Sequence, residues 1–215
     1  VDSIGRLVGR ITVDDVMDEV REQAERDYQL ASGLSQDVES HDNVFRQTSA
    51  RLPWLLIGML GGIGNSMILG NFDSTFAAHP EMALYIPLIG GTGGNVGTQS
   101  SALVVQGLAN SSLDANGIWK QIMKESVVAV INATIISMLV YIYNFIRFGA
   151  TATVSYSVSI SLFSVVMFAS IFGTLVPMTL EKLKIDPAIA TGPFISITND
   201  IIGMMMYMGI TALLS

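Results

Sequence analysis

An aspartate inside an apolar segment is the residue of this sequence best suited to bind a cation. Asp200 lies within "ITNDIIGMMMY", and it is the one ionisable residue inside an apolar segment rather than near its end. A carboxylate at the centre of a bilayer costs about 2.5 to 3.5 kcal/mol on insertion scales, and such residues usually face a bundle interior or a water-filled path. Asp200 therefore indicates either a cation site or a buried aspartate that joins helices through hydrogen bonds.

Small and polar residues recur on the helical face of this aspartate. They lie at steps of three or four residues, a spacing that places them on one face: Gly192, Ser196, Gly203 and Tyr207. Pro193 removes a helical hydrogen bond, so we expect the backbone oxygen of Ile189 to be free below the carboxylate. Free carbonyl oxygens beside a carboxylate would suit a hard cation.

A glycine-rich stretch, "PLIGGTGGNVGTQSSAL" at residues 87–103, interrupts another apolar segment. Its small residues at helical spacing would let a second helix approach closely: Gly90, Gly94, Gly97 and Ser101. Asn95 and Gln99 lie one turn apart on a neighbouring face. Glycines weaken a helix by up to about 1 kcal/mol each, so the stretch predicts a bent helix beside a pore, or close packing without ion contact. A phosphate-binding loop is disfavoured because no lysine follows and no strand precedes.

Four carboxylates form a row on a predicted helix near the N-terminus. They lie at steps of four, four and three residues: Asp14, Asp18, Glu22 and Glu25. Like charges at this spacing repel by a few tenths of a kcal/mol per pair unless a cation or a basic group lies against them. The row is therefore either a solvated surface or part of a regulatory site for a divalent cation, since carboxylates suit magnesium and calcium.

Other residues give weaker chemical signals. The methionines of "MMMYM", residues 204–208, are more typical of apolar packing than of copper binding. His41 and His79 belong to no ligand spacing, and the chain has no cysteine. An intramembrane aspartyl protease would need a second aspartate in the bilayer, and a zinc protease would need His-Glu-x-x-His. The sequence therefore predicts no enzyme.

The elements that position these residues are predicted to be membrane helices. Half of the 215 residues are hydrophobic, 13% are charged and the mean hydropathy is +0.52, whereas soluble domains carry about 25% charged residues. Apolar windows long enough to cross a bilayer lie at about 52–72, 82–108, 122–146, 157–180 and 188–213. The predicted fold is an all-α membrane protein with five transmembrane helices.

Lysines and arginines near the span ends predict the orientation, because these residues are retained in the cytoplasm. A cytoplasmic N-terminus leaves only Arg147 outside and keeps the others inside: Arg46, Arg51, Lys120, Lys124, Lys182 and Lys184. Five spans then carry the C-terminus to the outer side.

The first 50 residues differ from the rest, since they hold 11 carboxylates against five arginines. Residues 6–12 alternate as in a short strand that ends a soluble domain. Thr12 or Asp14 would cap an acidic helix that runs to about Gly33, and the polar residues 34–50 would form a linker. Because the chain starts with Val1 and has no signal-peptide pattern, we expect an N-terminal part to be missing.

Two long motifs resemble the transmembrane domain of the MgtE family of magnesium channels. They are "IPLIGGTGGNVGTQSSALVVQGLA" and "DPAIATGPFISITNDIIGMMMY". "GRLVGRITVDDVMDEVREQAERD" is similar to the end of that family's CBS regulatory region and the connecting, or plug, helix behind it. The resemblance implies a CBS remnant at 1–12, a plug helix at 13–33, a linker at 34–50 and a pore domain at 51–215.

The resemblance also implies a homodimer with five spans per subunit and a central pore lined by Asp200. Asn95 matches the asparagine of the family's glycine-rich motif, whereas Gln106 departs from the arginine that many members carry. The predicted metal-binding residues of the pore are Asp200, Ser196, Asn95, Gly94 and Asn199. The missing upstream region implies that regulation is incomplete in this chain.

The predicted function is passive, magnesium-selective influx, with a pore carboxylate that recognises largely hydrated Mg²⁺. Mn²⁺, Co²⁺ and Ca²⁺ are further candidate ions, and Mg²⁺ is also the expected regulator. A proton- or sodium-coupled transporter is the alternative, and a purely structural membrane domain would conduct nothing. The expected location is the cell (inner) membrane, in contact with lipid and a second subunit and with no nucleic-acid partner.

Overall fold

Helices are the regular secondary structure of the described residues. The computed structural model covers residues 3–6, 9–110, 112–113, 117–149 and 153–214. The α-helices of these ranges are α1 (Val13–Ala31), α2 (Val44–Gly70), α3 (Asp73–Ala78), α4 (Ile86–Ala109), α5 (Ile118–Phe148), α6 (Thr153–Lys182) and α7 (Pro193–Leu214). Short 3₁₀ helices at Pro80–Tyr85 and Pro187–Ala190 precede α4 and α7. The predicted all-α class is confirmed.

The strand predicted at residues 6–12 is wrong for the part of it that is described. Residue 6 and residues 9–12 have no strand pairing, and residues 7 and 8 lie outside the described ranges. A strand is stabilised by hydrogen bonds to a neighbouring strand, and the described chain offers none. The alternation of apolar with polar or small residues therefore predicted a β-strand that the described part of this chain does not form.

Among the described residues, four helices are long and apolar enough to cross a membrane, as expected of a multi-pass membrane protein. They are α2, α5, α6 and α7. The fifth predicted span corresponds to α4, whose 24 residues would reach about 36 Å at 1.5 Å per residue. Its glycines and polar residues reduce its hydropathy, so its role as a span stays a prediction.

Helix α6 lies at the centre of the bundle and packs against α4, α5 and α7. Its Val158, Leu162 and Val165 are fully buried in the main apolar cluster. Tyr207 of α7 enters the same cluster and donates a 2.8 Å hydrogen bond from its hydroxyl to the backbone oxygen of Met82. Met204 and Met208 are buried there too, which favours the packing interpretation of the methionine run.

Helix α1 begins and ends where its capping residues predict. Thr12 caps its N-terminus and forms a capping box with Asp15, and the hydrogen bonds from Thr12 lower the pKa of the Asp15 carboxyl. Gly33 follows the helix with a φ of +81°, a conformation that favours glycine. No residue of α1 is buried, so this helix is stabilised largely by its own caps and side-chain pairs.

Helix α2 begins at Val44, earlier than the apolar window indicated. Asn43 caps it by accepting a hydrogen bond from the backbone of Arg46. The first turns are polar, so hydropathy assigned residues 44–50 to the linker. The helix then runs along α7, where a side chain on Gly61 would meet Ile197.

The end of α1 is docked against the start of α7. Gly192 has a φ of +61°, and a side chain there would overlap the backbone oxygen of Ala31. A side chain on Gly33 would lie 2.5 Å from Cγ of Pro193. The end of the acidic helix therefore meets the turn that precedes the helix carrying Asp200.

Candidate cation site

Asp200 lies on the face of α7 that meets the glycines of α4. A Cβ placed on Gly94 would be 3.4 Å from Oδ1 of Asp200, and one placed on Gly90 would be 3.5 Å from the same oxygen. The carboxylate thus lies against a surface of α4 that has no side chains. It is partly exposed, so it is accessible to an ion.

The carboxylate of Asp200 has no protein partner in the described part of the chain. None of the ion pairs there includes it, and no described donor forms a hydrogen bond with it. An aspartate that joined helices would accept such bonds, so the contacts do not favour that interpretation. A charge left without a partner at membrane depth is typical of an ion path.

Ser196 lies one turn before Asp200 and faces the same side of α4. Its hydroxyl oxygen would be 3.6 Å from a Cβ on Gly94, and it lies 3.2 Å from the hydroxyl oxygen of Thr98. Three of the predicted pore residues, Asp200, Ser196 and Gly94, are therefore brought together. Thr98 joins them, and its position four residues after Gly94 was the signal that could have identified it.

Asn199 lies on a different side of α7, inside the subunit. It is 1% exposed and packs against Gly97, and both polar atoms of its amide lack a hydrogen-bond partner. Successive residues of an α-helix are separated by about 100°, which is why Asn199 and Asp200 face apart. Its assignment to the pore stays a prediction that this placement does not favour.

Asn95 is exposed, as is Gln99 one turn later. Gln106, which lies further along the same side of α4, is also exposed. The neighbouring face predicted for Asn95 and Gln99 is therefore present. It leaves a polar strip at the surface of the isolated subunit, beside the Asp200 face.

The small residues of α4 do allow the close approach that their spacing predicted. A Cβ on Gly93 would lie 2.9 Å from Val165 of α6, and one on Gly97 would lie 2.8 Å from Ile195 of α7. Gly173 of α6 in turn faces the backbone oxygen of Gly97. Because these positions have no side chains, α7 can lie close to α4 and α6 at this three-helix contact.

Helix α7 begins at Pro193, which corrects the prediction of a helix from residue 188 with a break at the proline. The first residue of a helix needs no amide donor, so proline is well accommodated there. The backbone oxygen of Ile189 is therefore not released from within a helix. Asp200 is the eighth of 22 residues in α7, closer to its N-terminus than to the middle.

The acidic row of α1 is exposed and partly neutralised within the helix. Glu22 pairs with Arg26 at 3.1 Å, and Glu25 pairs with Arg21 at 2.9 Å. Asp14 and Asp18 are exposed near the helix start. Within the described ranges no group of three or more acidic or histidine residues is arranged to hold a metal ion, so the row alone forms no closed cation site.

Glu125 is a buried carboxylate that the sequence reasoning missed because it lies near the end of an apolar window. It is 8% exposed and accepts a 2.6 Å hydrogen bond from Ser100. A usable signal was present: Ala129, Ala133 and Ser137 follow it at steps of four, and all are buried. That stripe of small residues marks the inward face of α5.

These observations define the class as an all-helical, multi-pass membrane protein with an unpaired carboxylate in a glycine-lined helix contact. The sequence of residues 86–210 matches the model of the family described as MgtE, divalent cation transporter. This match covers more than half of the 215 residues, and the chain belongs to the MgtE family.

Three similar proteins are each named Magnesium transporter MgtE. The protein of Bacillus subtilis (strain 168) is 33% identical over 204 residues, covering 95% of this chain and 45% of the relative. The protein of Thermus thermophilus (strain ATCC 27634 / DSM 579) is 32% identical over 220 residues, covering 100% of this chain and 48% of the relative. The protein of Enterococcus faecalis (strain ATCC 700802 / V583) is 29% identical over 208 residues, covering 96% and 45%. The chain thus spans about half the length of these relatives.

Proposed function

We propose that this chain is the ion-conducting part of a magnesium channel and that Asp200 is its central cation-recognising residue. The observation that carries the proposal is the Asp200 carboxylate, which lies against Gly90 and Gly94 with no partner among the described residues. The names of the relatives support magnesium as the ion. No step of this function requires an enzymatic reaction.

The channel acts as a homodimer with its pore between the two subunits. The polar strip of Asn95, Gln99 and Gln106 supports this arrangement, because lipid tails offer no hydrogen bonds to exposed amides. A second copy would cover part of the strip and leave the remainder facing water. Two Asp200 carboxylates near the axis would then favour a divalent over a monovalent cation.

Magnesium reaches this site with most of its water shell. The ion gives up its waters reluctantly and keeps octahedral geometry, so carboxylate and hydroxyl oxygens accept hydrogen bonds from the coordinated waters. Asp200 supplies the charge, Ser196 supplies a hydroxyl, and the absence of a side chain on Gly94 supplies the space. Mn²⁺, Co²⁺ and Ca²⁺ would be separated from Mg²⁺ by the size and flexibility of the same space.

Flux is passive and follows the membrane potential, which is worth about 2.3 kcal/mol per charge per 100 mV. With residues 13–33 on the cytoplasmic side of the inner membrane, this potential drives cations inward. A proton- or sodium-coupled transporter would instead require a second gradient. Mg²⁺ influx that is unchanged when pH and sodium gradients are removed distinguishes the channel from that alternative.

Helix α1 acts as a magnesium-dependent brake. Its docking against Gly192 and Pro193 supports this role, because a displacement of α1 would reach the start of α7 directly. The free carboxylates of Asp14 and Asp18 form half of a bridge to the regulatory region upstream. Magnesium would favour the closed arrangement because it binds better where the two halves are close.

The test is Mg²⁺ flux into liposomes that contain the purified chain. Asp200→Ala and Asp200→Asn should each reduce flux by more than about tenfold, since either change removes the charge that the described residues bring to the site. Asp73→Asn, which changes an exposed carboxylate at the start of α3, serves as the control and should conduct as wild type does. If Asp200→Asn conducts normally in a folded protein, the carboxylate is not the recognising group and the proposal fails.

A further inference from the structure

A polar cavity lies on the side of α4 that faces away from Asp200. Its volume is about 350 Å³, and its walls come from α4, α5, the segment at Ser112 and Leu113, and Ser170 of α6. Gly94 faces Asp200, whereas Leu103 lines the cavity. Nine residues separate these two positions, which places them roughly 180° apart around the helix. The cavity therefore lies away from the Asp200 face, although Gln99 and Gln106 of the polar strip belong to its lining.

The carboxylate of Glu125 is the charged group of this cavity. Ser100 donates a 2.6 Å hydrogen bond to its Oε1, while Oε2 accepts none from any described residue. Lys124 also lines the cavity but forms no ion pair with Glu125. The lysine side chain is exposed, and its long stem lets the ammonium reach water. The buried carboxylate is left with one hydroxyl donor.

The neutral groups around Glu125 are oxygen-bearing. The hydroxyl oxygens of Ser100 and Ser170 lie 3.4 Å apart, and the amides of Gln99 and Asn132 line the same space. Ser100 has a single proton, which it donates to Glu125, so its oxygen lone pairs can face a cation. Carboxylate, hydroxyl and amide oxygens select hard cations such as those of the alkali and alkaline-earth metals.

We propose that this cavity binds a monovalent inorganic cation of the size of sodium, with Glu125 as its charged ligand. One carboxylate among neutral oxygens balances one positive charge, whereas a divalent ion would leave an excess charge in a partly desolvated place. Because the charged ligand is Glu125 and not Asp200, the proposal does not rest on the proposed pore.

The test is equilibrium binding of radioactive sodium to the purified chain in lipid nanodiscs. Glu125→Gln keeps the shape of the side chain and removes its charge, so it should weaken sodium binding at least tenfold. Ser100→Ala removes a neutral oxygen and should weaken binding by a smaller factor. Glu81→Gln, which changes a carboxylate outside the cavity, is the control variant and should bind sodium as wild type does.

Equal sodium binding by wild type and Glu125→Gln overturns the proposal. Binding of Mn²⁺ that is tighter than that of sodium and is lost in Glu125→Gln would overturn the assignment to a monovalent ion. If Glu125→Gln fails to fold, Glu125→Asp and Ser170→Ala give the same comparison: weakened binding in both supports the site, and unchanged binding in both overturns it. Because the readout is binding, failure of the pore proposal in flux assays leaves this result unaffected.

Discussion

Oδ1 of Asp200 lies 3.4 Å from the point that a side-chain carbon would occupy on Gly94. That distance is ordinary van der Waals contact for a single methyl group, so any larger side chain at position 94 would meet the carboxylate. Ser196 bounds the same space at 3.6 Å. The size of the residue at position 94 of α4 therefore determines access to the Asp200 carboxylate of α7.

Replacing Gly94 with valine should close this space and reduce magnesium flux more than about tenfold, since small residues at a helix contact set how closely the helices approach. The two further carbons of valine would meet Asp200 and Ser196, whereas alanine should have a smaller effect. Gly91→Val on the same helix is the matched control, because nothing lies within 4 Å of a Cβ there. Flux through liposomes is the measurement, and equal flux in both valine variants would contradict the placement of the ion path beside Gly94.

Asn95→Ala should weaken magnesium recognition, but less than loss of Asp200 does. Asparagine contributes a dipole where aspartate contributes a full charge, and charge interactions fall off more slowly in a partly desolvated site. The apparent affinity for Mg²⁺ in flux assays is the quantity to compare, with Gln106→Ala as a second exposed amide of α4. An Asn95→Ala effect as large as that of Asp200→Ala would contradict the smaller contribution predicted for Asn95.

Gly173→Ala should destabilise the bundle by about 1 to 3 kcal/mol, a range typical of overpacked cores. The added methyl group would meet the backbone oxygen of Gly97, which has no rotamer that could move aside. Gly209→Ala on α7 makes the same chemical change in open space and should be neutral or slightly stabilising. Thermal unfolding in detergent measures the difference, and equal melting temperatures would show that α4 and α6 separate without cost.

Cytoplasmic magnesium should have little effect on the open probability of this chain, since half of the proposed acidic bridge lies upstream of it. Restoring the upstream region should make high magnesium close the channel. Patch recordings at low and high internal magnesium compare the two proteins. Sharp closure of the present chain would place the sensor in the membrane region, and Asp14→Asn combined with Asp18→Asn in the longer protein should then change nothing.

The sequence by itself determined the class of the protein, the approximate positions of its helices and the residue at the centre of the proposed site. Hydropathy is a local property, so four of the five predicted spans follow from it directly, and the capping residues Thr12 and Gly33 define α1 for the same reason. Asp200 was identifiable because a charge within an apolar segment is costly wherever the segment packs. The glycine spacing of α4 likewise predicted a close helix contact without naming the partner.

Only the tertiary structure decided which faces meet. Asn199 and Asp200 are neighbours in sequence, yet one lies inside the subunit and the other against Gly94, because a helix turns about 100° per residue and its rotation is fixed by packing. The contact between the end of α1 and the turn before α7 joins residues distant in sequence, so no local pattern contains it. In the sequence, Glu125 has the position of an ordinary polar residue at the end of a span. Packing of α4 and α6 against α5 buries it, and burial is a property of the assembled helices and not of any one of them.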